Sequence, residues 1–497
     1  MKKDTFYRDT LTLTAANIAT GILGFTFAII LSSKIGPEGM GLYGLIMPIY
    51  NLFICIISGG LITAISKVSA VYYSKHDFKN LNKTIDTTLS FDGLWALIVV
   101  SIVFVSSNYI STYLIKDSRS LYAIKVLCPA MLFIAFSSIL KGYFYGISKV
   151  KIPAYIDVFE KFMRTIVIIV IFGTYALSTD ISSKVTFAYV ALAIGEGIST
   201  TLLYVSYKIH KVKPSNNMQS SEGRAQLLFN VLIISIPLCL NAFSSTALST
   251  VSTLIVPRRL IATGMDYSTA LSLIGKFTGM SLSIIFFPMV VINSVSTILI
   301  PDISKSISNK DYWGTETRVM SVLKIAFLLG LSTLIICNTI PNELGSLLFK
   351  RQDLGSFIAI SALVAPLVYV STTTYGILNG LGKQGILLRN SLIISVIELI
   401  SLYIFIGIPS INIYGFVITF IITSFLTLII NMFEIRKHLN IDFNKNNFVI
   451  SILLCILFYF ILNILKNILP ETLSMKYLII TLTGFLLIFF DFKLSKK

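Results

Sequence analysis

The chain has 497 residues, of which 55% are hydrophobic and only 13% are charged, and its mean hydropathy is +0.84. Soluble proteins carry about 25% charged residues, so this composition excludes a soluble globular protein and predicts an integral membrane protein. The formal net charge of +17 could suggest a nucleic acid partner, but the placement of the charges excludes one and indicates membrane topology.

The apolar residues fall in runs of roughly 17–25 residues, which are long enough to cross about 30 Å of hydrocarbon as helices. Alternating β-barrel segments do not occur in the sequence. We therefore predict an all-α polytopic membrane protein with about fourteen transmembrane helices. In chain order the predicted spans are 11–33, 41–66, 85–106, 121–145, 155–177, 185–207, 227–256, 271–300, 320–340, 357–378, 386–408, 413–433, 448–468 and 477–490.

Basic residues are distributed unevenly between the two sides that these spans define. With the N-terminus inside, the inner segments hold about 24 Lys and Arg and the outer segments about 10, as the positive-inside rule describes. This asymmetry predicts a multi-pass membrane protein with both termini in the cytoplasm. Part of the charge is expected to attract anionic membrane lipids.

The membrane-spanning part of the sequence is an internal duplication. The segment 142–149 (GYFYGISK) recurs as 376–383 (GILNGLGK), with both glycines and the lysine matching at an offset of about 234 residues. Apolar spans shift onto one another at the same offset. A parallel repeat of this kind is common in transporters, which place the substrate site between the two halves.

The duplication predicts two pseudo-symmetric six-helix lobes. We assign 1–208 to the first lobe, 209–226 to a basic cytoplasmic linker, 227–437 to the second lobe, and 438–497 to two additional helices and a cytoplasmic tail. Proline removes a helical hydrogen bond and kinks a membrane helix. The prolines inside corresponding spans are therefore hinge candidates for gating, against the simpler reading that proline is tolerated in such helices; they are Pro48, Pro129, Pro288 and Pro366.

The sequence lacks the familiar motifs for catalysis and energy conversion. No GxxxxGK[ST] phosphate loop, HExxH metal motif or GxSxG nucleophile elbow occurs in the sequence. We therefore predict a protein that is not an enzyme and has no cofactor or metal. Its energy is expected from an ion gradient, the membrane potential or consumption of the product.

Ionisable side chains deep in a bilayer are costly and usually face a bundle interior or a watery cavity. Glu160 and Arg164 lie at i,i+4 on span five, where they either pair with each other or bind substrate. Arg258 and Arg259 follow span seven on the predicted outer side, against the charge rule, and are candidates for contacting an anionic substrate. The remaining cavity candidates are one or two per span: Lys67, Lys276, Asn17, Asn51, Asn241 and Asn293.

Several stretches together resemble one family. They are 10–25 (TLTLTAANIATGILGF), 35–44 (IGPEGMGLYG), 64–67 (AISK), 140–146 (LKGYFYG), 158–160 (VFE) with Arg164, 257–260 (PRRL) and 299–304 (LIPDIS). As an ordered set they resemble the stage V sporulation protein B group, in the polysaccharide-exporter branch of the multidrug/oligosaccharidyl-lipid/polysaccharide flippase superfamily. Where that resemblance implies arginines in the first span, this chain has Gly21 and Ala28.

The resemblance implies two helical lobes around a central cavity, with the last two helices offering a groove for a lipid tail. It also implies a flippase that moves an undecaprenyl-linked oligosaccharide by alternating access, with a peptidoglycan precursor (lipid II) as the expected cargo and spore cortex synthesis as the expected setting. Expected partners are this substrate, membrane lipids and cell-wall synthesis enzymes. The alternatives are a multidrug/cation antiporter of the same superfamily and a membrane scaffold for cell-wall enzymes that does not transport.

Overall fold

The computed structural model describes residues 3–174, 180–212, 222–441, 445–470 and 475–494, and all regular secondary structure within these ranges is helical. The chain forms two compact units, Met1–Leu254 and Ile255–Lys497. The boundary between the units falls inside a long helix, so the first part of predicted span seven packs with the first unit. The lobe boundaries drawn from the sequence stay a prediction.

The first unit contains six helices and most of a seventh. They are α1 (Lys3–Ser58), α2 (Leu61–Ser74), α3 (Phe78–Tyr109) with a π-helical end (Ile110–Ile115), α4 (Leu121–Gly146), α5 (Lys151–Thr174), α6 (Ile181–His210) and α7 (Arg224–Ala262). α1 consists of two helical segments that meet at Gly36, whose φ of 70° is a conformation that glycine adopts at little cost. This turn separates predicted spans one and two.

The second unit contains more breaks between its helices. After α7 come α8 (Tyr267–Ile274), a π-helical segment (Gly275–Ser281), α9 (Leu282–Phe286), α10 (Met289–Ser308), α11 (Tyr312–Thr339), α12 (Pro341–Phe349), α13 (Gly355–Ala362), α14 (Ala365–Gly380), α15 (Gln384–Ile406), a 3-10 turn (Asn412–Tyr414), α16 (Gly415–Arg436), α17 (Lys445–Ile468) and α18 (Lys476–Leu494).

Within the described residues, 11 helices are long and apolar enough to cross a membrane, and 12 if the bent pair α13 and α14 forms one span. This count treats Leu11–Ser74 as one stretch, although it holds predicted spans one and two, and it divides predicted span eight into two. α5 carries several charged residues and does not count, and α18 has a shorter apolar stretch, Lys476–Ile488. The all-α polytopic fold is confirmed, while the number fourteen stays a prediction.

The second predicted span of each half is broken into two helices. The break lies at Gly60 in the first half and at Pro288 in the second half. In the first unit, Gly60 adopts a φ of +74° between α1 and α2, and a Cβ there would lie 2.5 Å from Cβ of Leu238 on α7. Glycine is needed at this position for both its backbone conformation and the close approach of the neighbouring helix. In the second unit, α9 ends at Phe286 and Pro288 caps α10.

The duplication is visible in the helix packing. α4 packs against α2, α3 and α6, and α14 packs against α10, α11 and α16 in the same order. A Cβ on Gly146 would lie 2.5 Å from Cβ of Ser69 and 2.7 Å from the Ser66 carbonyl oxygen. A Cβ on Gly380 would lie 2.9 Å from Cβ of Ile303 and 3.2 Å from the Ile300 carbonyl oxygen. These contacts share the offset of the sequence repeat, so the paired glycines set the same helix contact in both halves.

The four predicted hinge prolines have different surroundings. Pro48 and Pro129 lie inside helices that continue past them, α1 and α4, and Pro129 lines an open apolar groove of about 630 Å³ between α4 and α6. Pro288 and Pro366 lie at helix breaks, and α13 and α14 are bent by 52° just before Pro366. The gating role stays a prediction.

Both described ends of the predicted linker are attached to the beginning of α3. The Asn82 side-chain amide donates to the Val212 carbonyl at 2.8 Å, and the Asn80 side-chain oxygen accepts from the Glu222 backbone N–H at 3.1 Å. The Tyr72 hydroxyl donates to the Glu222 carboxylate at 3.0 Å. Residues 213–221 lie outside the described residues.

We expect Gly146→Leu and Gly380→Leu each to destabilise the protein, because a side chain at either position would push apart helices whose backbones are in contact. Overpacking of this kind costs about 1–3 kcal/mol. Gly44→Ala is the matched control, since a Cβ at Gly44 meets nothing within 4 Å. Thermal unfolding of the purified proteins in detergent measures the effect. Equal melting temperatures for all three variants would contradict the proposed contacts.

Candidate functional site

A buried charge cluster of the first unit joins α5 and α6. Arg164 Nη2 lies 2.7 Å from Glu160 Oε1, one turn earlier on α5, and 3.2 Å from Glu196 Oε1 on α6. Glu160 and Arg164 expose only 4% and 9% of their surface. One guanidinium is therefore shared by two carboxylates from neighbouring helices, and the pairing of Glu160 with Arg164 that the sequence suggested is present.

Aromatic hydroxyls and a glycine surround this cluster. The rings of Tyr43 and Tyr189 stack with centroids 4.8 Å apart, and the Tyr189 hydroxyl donates to the Tyr43 carbonyl at 2.8 Å. The buried Tyr50 hydroxyl interacts electrostatically with Glu196 and Arg164. A Cβ on Gly195 would lie 2.7 Å from Glu160 Oε1, so only glycine leaves room for the carboxylate there.

Two lysines complete the charge balance of this region. Lys161 Nζ lies 3.0 Å from Glu160 Oε2, and Lys141 Nζ on α4 lies 2.7 Å from Asp157 Oδ1 on α5. Both lysines are partly exposed, whereas the Glu160 carboxylate is buried. The cluster has equal numbers of positive and negative groups, which is the arrangement that makes buried charges tolerable.

In the second unit, the predicted cavity residue Lys276 lies in the π-helical segment Gly275–Ser281. Such segments occur often at functional sites. Lys276 Nζ lies 2.7 Å from Asp353 Oδ2, which also contacts Arg351 Nη2 at 2.8 Å. The Arg351 guanidinium and then the Lys276 ammonium hold the pKa of the Asp353 carboxyl, in the loop before α13, well below its usual range. Lys276 is therefore engaged with a protein carboxylate.

The predicted anion-binding pair at the end of α7 separates into two environments. The Arg259 guanidinium lies 4.1 Å from the centroid of the Tyr403 ring, and its Nε donates to the Tyr403 carbonyl at 2.9 Å. A Cβ on Gly407 would collide with this guanidinium. Arg259 is thus packed against the end of α15, while Arg258 is exposed.

The other predicted cavity residues are distributed over four helices, α1, α2, α7 and α10. Lys67 is exposed on α2, and Asn17 and Asn51 are exposed on α1. Asn241 is half-buried on α7, and Asn293 is exposed on α10. Their exposure is compatible with contact to lipid or to a substrate, and their role stays a prediction.

Sequence reasoning missed the polar network that joins α14, α15 and α16. The Asn390 side-chain amide donates to Asn431 Oδ1 at 2.9 Å, and the Asn431 amide donates to Thr374 Oγ1 at 2.8 Å. Arg389 Nη2 lies 3.1 Å from Glu434 Oε1 at one end of this contact. The available signal was the position of each asparagine inside a predicted apolar span.

Two further interhelical ion pairs were also missed. Asp491 on α18 is 1% exposed, lies 2.6 Å from Lys324 Nζ on α11, and accepts a hydrogen bond from Ser451 Oγ on α17 at 2.6 Å. Lys466, near the other end of α17, lies 2.9 Å from Glu343 Oε1 on α12. The two additional C-terminal helices are therefore attached to the second unit at both ends of α17.

The chain is similar in sequence to known proteins along most of its length. The sequence profile of the family described as "Polysaccharide biosynthesis protein" matches residues 6–307. Stage V sporulation protein B of Bacillus subtilis (strain 168) is 25% identical over 469 residues, which cover 94% of this chain and 90% of that protein. The resemblance stated from the sequence is confirmed.

Two solved structures share the fold. The lipid II flippase MurJ in an inward closed conformation superposes with a TM-score of 0.73 at 15% identity, covering 98% of each chain. An inward-facing multidrug resistance MATE family transporter of the MOP superfamily superposes with a TM-score of 0.65 at 15% identity, covering 86% of this chain and 95% of that one. The described helices therefore have the fold of MOP superfamily transporters.

We expect Arg164→Met to destabilise the protein by about 3–5 kcal/mol, because it leaves two buried carboxylates without their shared cation. The triple variant Glu160→Gln, Arg164→Met and Glu196→Gln should recover most of this loss. Arg318→Met is the control, since Arg318 pairs with Asp302 at the surface and exposed pairs contribute about 0–1 kcal/mol. Denaturant unfolding in micelles measures each value. An Arg164 variant as stable as wild type would contradict the buried pairing.

We expect Lys276→Gln to lower the melting temperature at neutral pH and to have less effect in acid. Because the folded-state pKa of Asp353 is depressed, its stabilising contribution is present above the unfolded-state pKa of about 3.9 and is lost as the pH falls towards the folded-state value. The Asp353 side chain is 41% exposed, so screening limits the effect to below about 1 kcal/mol. Melting temperatures of wild type, Lys276→Gln and the exposed control Lys350→Gln, measured from pH 7 downward, test this; a pH-independent difference would contradict it.

Proposed function

We propose a function from the premise that this chain belongs to the polysaccharide biosynthesis protein family, whose profile covers residues 6–307. In this proposal the protein is a flippase that translocates an undecaprenyl-linked oligosaccharide across the cytoplasmic membrane by alternating access. The cargo is a peptidoglycan precursor, lipid II, and the setting is spore cortex synthesis, where cell-wall synthesis enzymes are the expected partners. Both termini lie in the cytoplasm.

One observation favours a flippase over a multidrug antiporter. The superposition on the lipid II flippase covers 98% of each chain, and the unmatched remainder is shorter than either α17 or α18. Both additional helices therefore have counterparts in the flippase. The superposition on the MATE transporter leaves a larger part of this chain unmatched. This difference in coverage supports a cargo whose transport requires the two additional helices.

The anionic headgroup of the proposed cargo fits a membrane protein with exposed cations. A pyrophosphate-sugar headgroup cannot cross hydrocarbon unaided, because its charges and hydroxyls would lose their hydration. Exposed cations such as Arg258 and Lys67 can attract it, while its polyprenyl tail remains in lipid. An inside-negative potential favours outward movement of an anionic headgroup by about 2.3 kcal/mol per charge per 100 mV.

The multidrug antiporter remains the second candidate because the MATE transporter shares the fold. Organic cations would require acidic groups that are free to bind them. The buried Glu160 and the partly buried Glu196 are already held by Arg164 in this structure. That pairing makes them poor ligands for a drug cation. A scaffold that does not transport would retain its function without Arg258 and Lys67.

We expect purified protein in proteoliposomes to accelerate movement of fluorescent lipid II between leaflets, read with an impermeant quencher. Arg258→Gln and Lys67→Gln should each slow this movement about tenfold or more, since a charge-assisted contact is worth about 1.5–3 kcal/mol. Lys350→Gln, another exposed lysine outside the candidate set, should leave the rate unchanged.

The same vesicles distinguish the alternatives. Lack of lipid II movement together with ion-driven efflux of a cationic dye would contradict the flippase proposal and favour the antiporter. Equal rates in wild type and both charge variants would remove Arg258 and Lys67 from the substrate path. Membrane levels of each variant must match those of wild type for either comparison.

A further inference from the structure

Among the described residues, one buried carboxyl lacks the compensation that the others have. Four of the buried acids lie within ion-pair distance of Lys or Arg, namely Asp117, Glu160, Glu434 and Asp491. Asp77 instead caps α3 and accepts hydrogen bonds from the backbone and side chain of Asn80. Asp92 on α3 is only 3% exposed, and its Oδ2 has no hydrogen-bond partner.

Residues close to Asp92 on α3 pack against two other helices. A Cβ on the next residue, Gly93, would lie 3.1 Å from the Phe136 ring on α4, so that ring covers α3 beside the carboxyl. One turn further, the Trp95 indole N–H donates to the Ile56 carbonyl on α1 at 3.1 Å. These contacts bring α3 against α4 and α1 within one turn after Asp92.

No charged or titratable group interacts with Asp92 from the described parts of the helices packed against α3, which are α1, α2 and α4. The cations of these helices whose side chains are described have other partners or are exposed, as Lys34 is on α1. Lys141 pairs with Asp157, and Lys125 lies over the Phe104 ring at 5.5 Å from its centroid. Lys67 is exposed on α2. An ionised Asp92 would therefore be a buried charge without a partner, which proteins avoid by neutralising the group.

We propose that Asp92 holds a proton in this conformation and exchanges it with water during transport, so that the coupling ion is H⁺. This inference rests on the proposed flippase function. In the cycle, the Asp92 carboxylate takes one proton from the outer phase and the carboxylic acid releases it to the cytoplasm. One proton thus moves inward as the lipid-linked headgroup moves outward.

The break between α1 and α2 lies close to the contacts of α3 beside Asp92, and the helices can move there during this exchange. Ile56, whose carbonyl accepts from Trp95, lies one turn before the break at Gly60 between α1 and α2. Ionisation requires Asp92 to reach water, and therefore requires α3 to separate from Phe136 or from α1. Protonation allows these contacts to close again. The charge state of Asp92 and the packing of α3 are thereby linked.

Infrared spectroscopy tests the proton directly, without transport. Hydrated wild-type protein at neutral pH should show the carbonyl stretch of a buried carboxylic acid, and Asp92→Asn should lack it. Asp302→Asn, which removes a surface carboxylate paired with Arg318, should retain it. An unchanged band in Asp92→Asn would overturn the proposal, because Asp92 would then be ionised in the folded protein.

Transport of fluorescent lipid II under imposed gradients tests the coupling. A pH gradient of one unit, acidic outside, should speed outward movement by up to about tenfold in wild type and in Asp92→Glu. Asp92→Asn should not respond to the gradient. A response to a Na⁺ gradient in place of the pH gradient, or an undiminished pH response in Asp92→Asn, would overturn proton coupling through Asp92.

The two proposals fail differently. If wild-type protein moves no lipid II, the flippase proposal fails while the infrared band still decides whether Asp92 carries a proton. If wild type moves lipid II without responding to pH, the flippase proposal stands and the coupling inference fails.

Discussion

Hydrocarbon provides no water to solvate a peptide group or a charge, and every element of this chain follows from that constraint. Backbone groups are satisfied within helices, since a helix supplies its own hydrogen bonds. Charged side chains inside the bundle are paired across helix contacts, as Arg164 is with Glu196 and Lys324 is with Asp491. Asp92 satisfies the same constraint by a different route if it is neutral.

The two halves of the duplication have kept their backbone contacts and changed their polar ones. The paired glycines of α4 and α14 meet equivalent positions of α2 and α10. In contrast, α5 and α6 are joined by a shared guanidinium, while α15 and α16 are joined by the side chains of Asn390 and Asn431. Close packing of two helices tolerates few residue types, whereas several polar pairs can satisfy the same interface. Divergence has therefore been concentrated in the polar contacts.

Much of the fold could be predicted from the sequence because its main signals are local. Apolar length identifies spans, and the spacing of Glu160 and Arg164 predicts a pair on one helix face. Contacts between distant parts of the chain could not be predicted in this way. Lys276 forms an ion pair with Asp353, from a distant part of the chain, and its expected contact with an anionic substrate stays a prediction. Arg259 was expected to contact the charge of the substrate. In the structure its guanidinium packs on the Tyr403 ring and occupies the space that Gly407 leaves by having no side chain.

The attachment of Val212 and Glu222 to the first turns of α3 affects how freely the connection between the two repeats can vary in length. Both described edges of the seam between the repeats are fixed to one helix, so α3 sets the distance that the connection must span. For a flexible connection between fixed ends, the closure entropy changes by only about 0.6 kcal/mol for each doubling of its length. We therefore expect insertions and deletions between these two attached residues to change the free energy of unfolding little, while the helices on either side keep their contacts with α3.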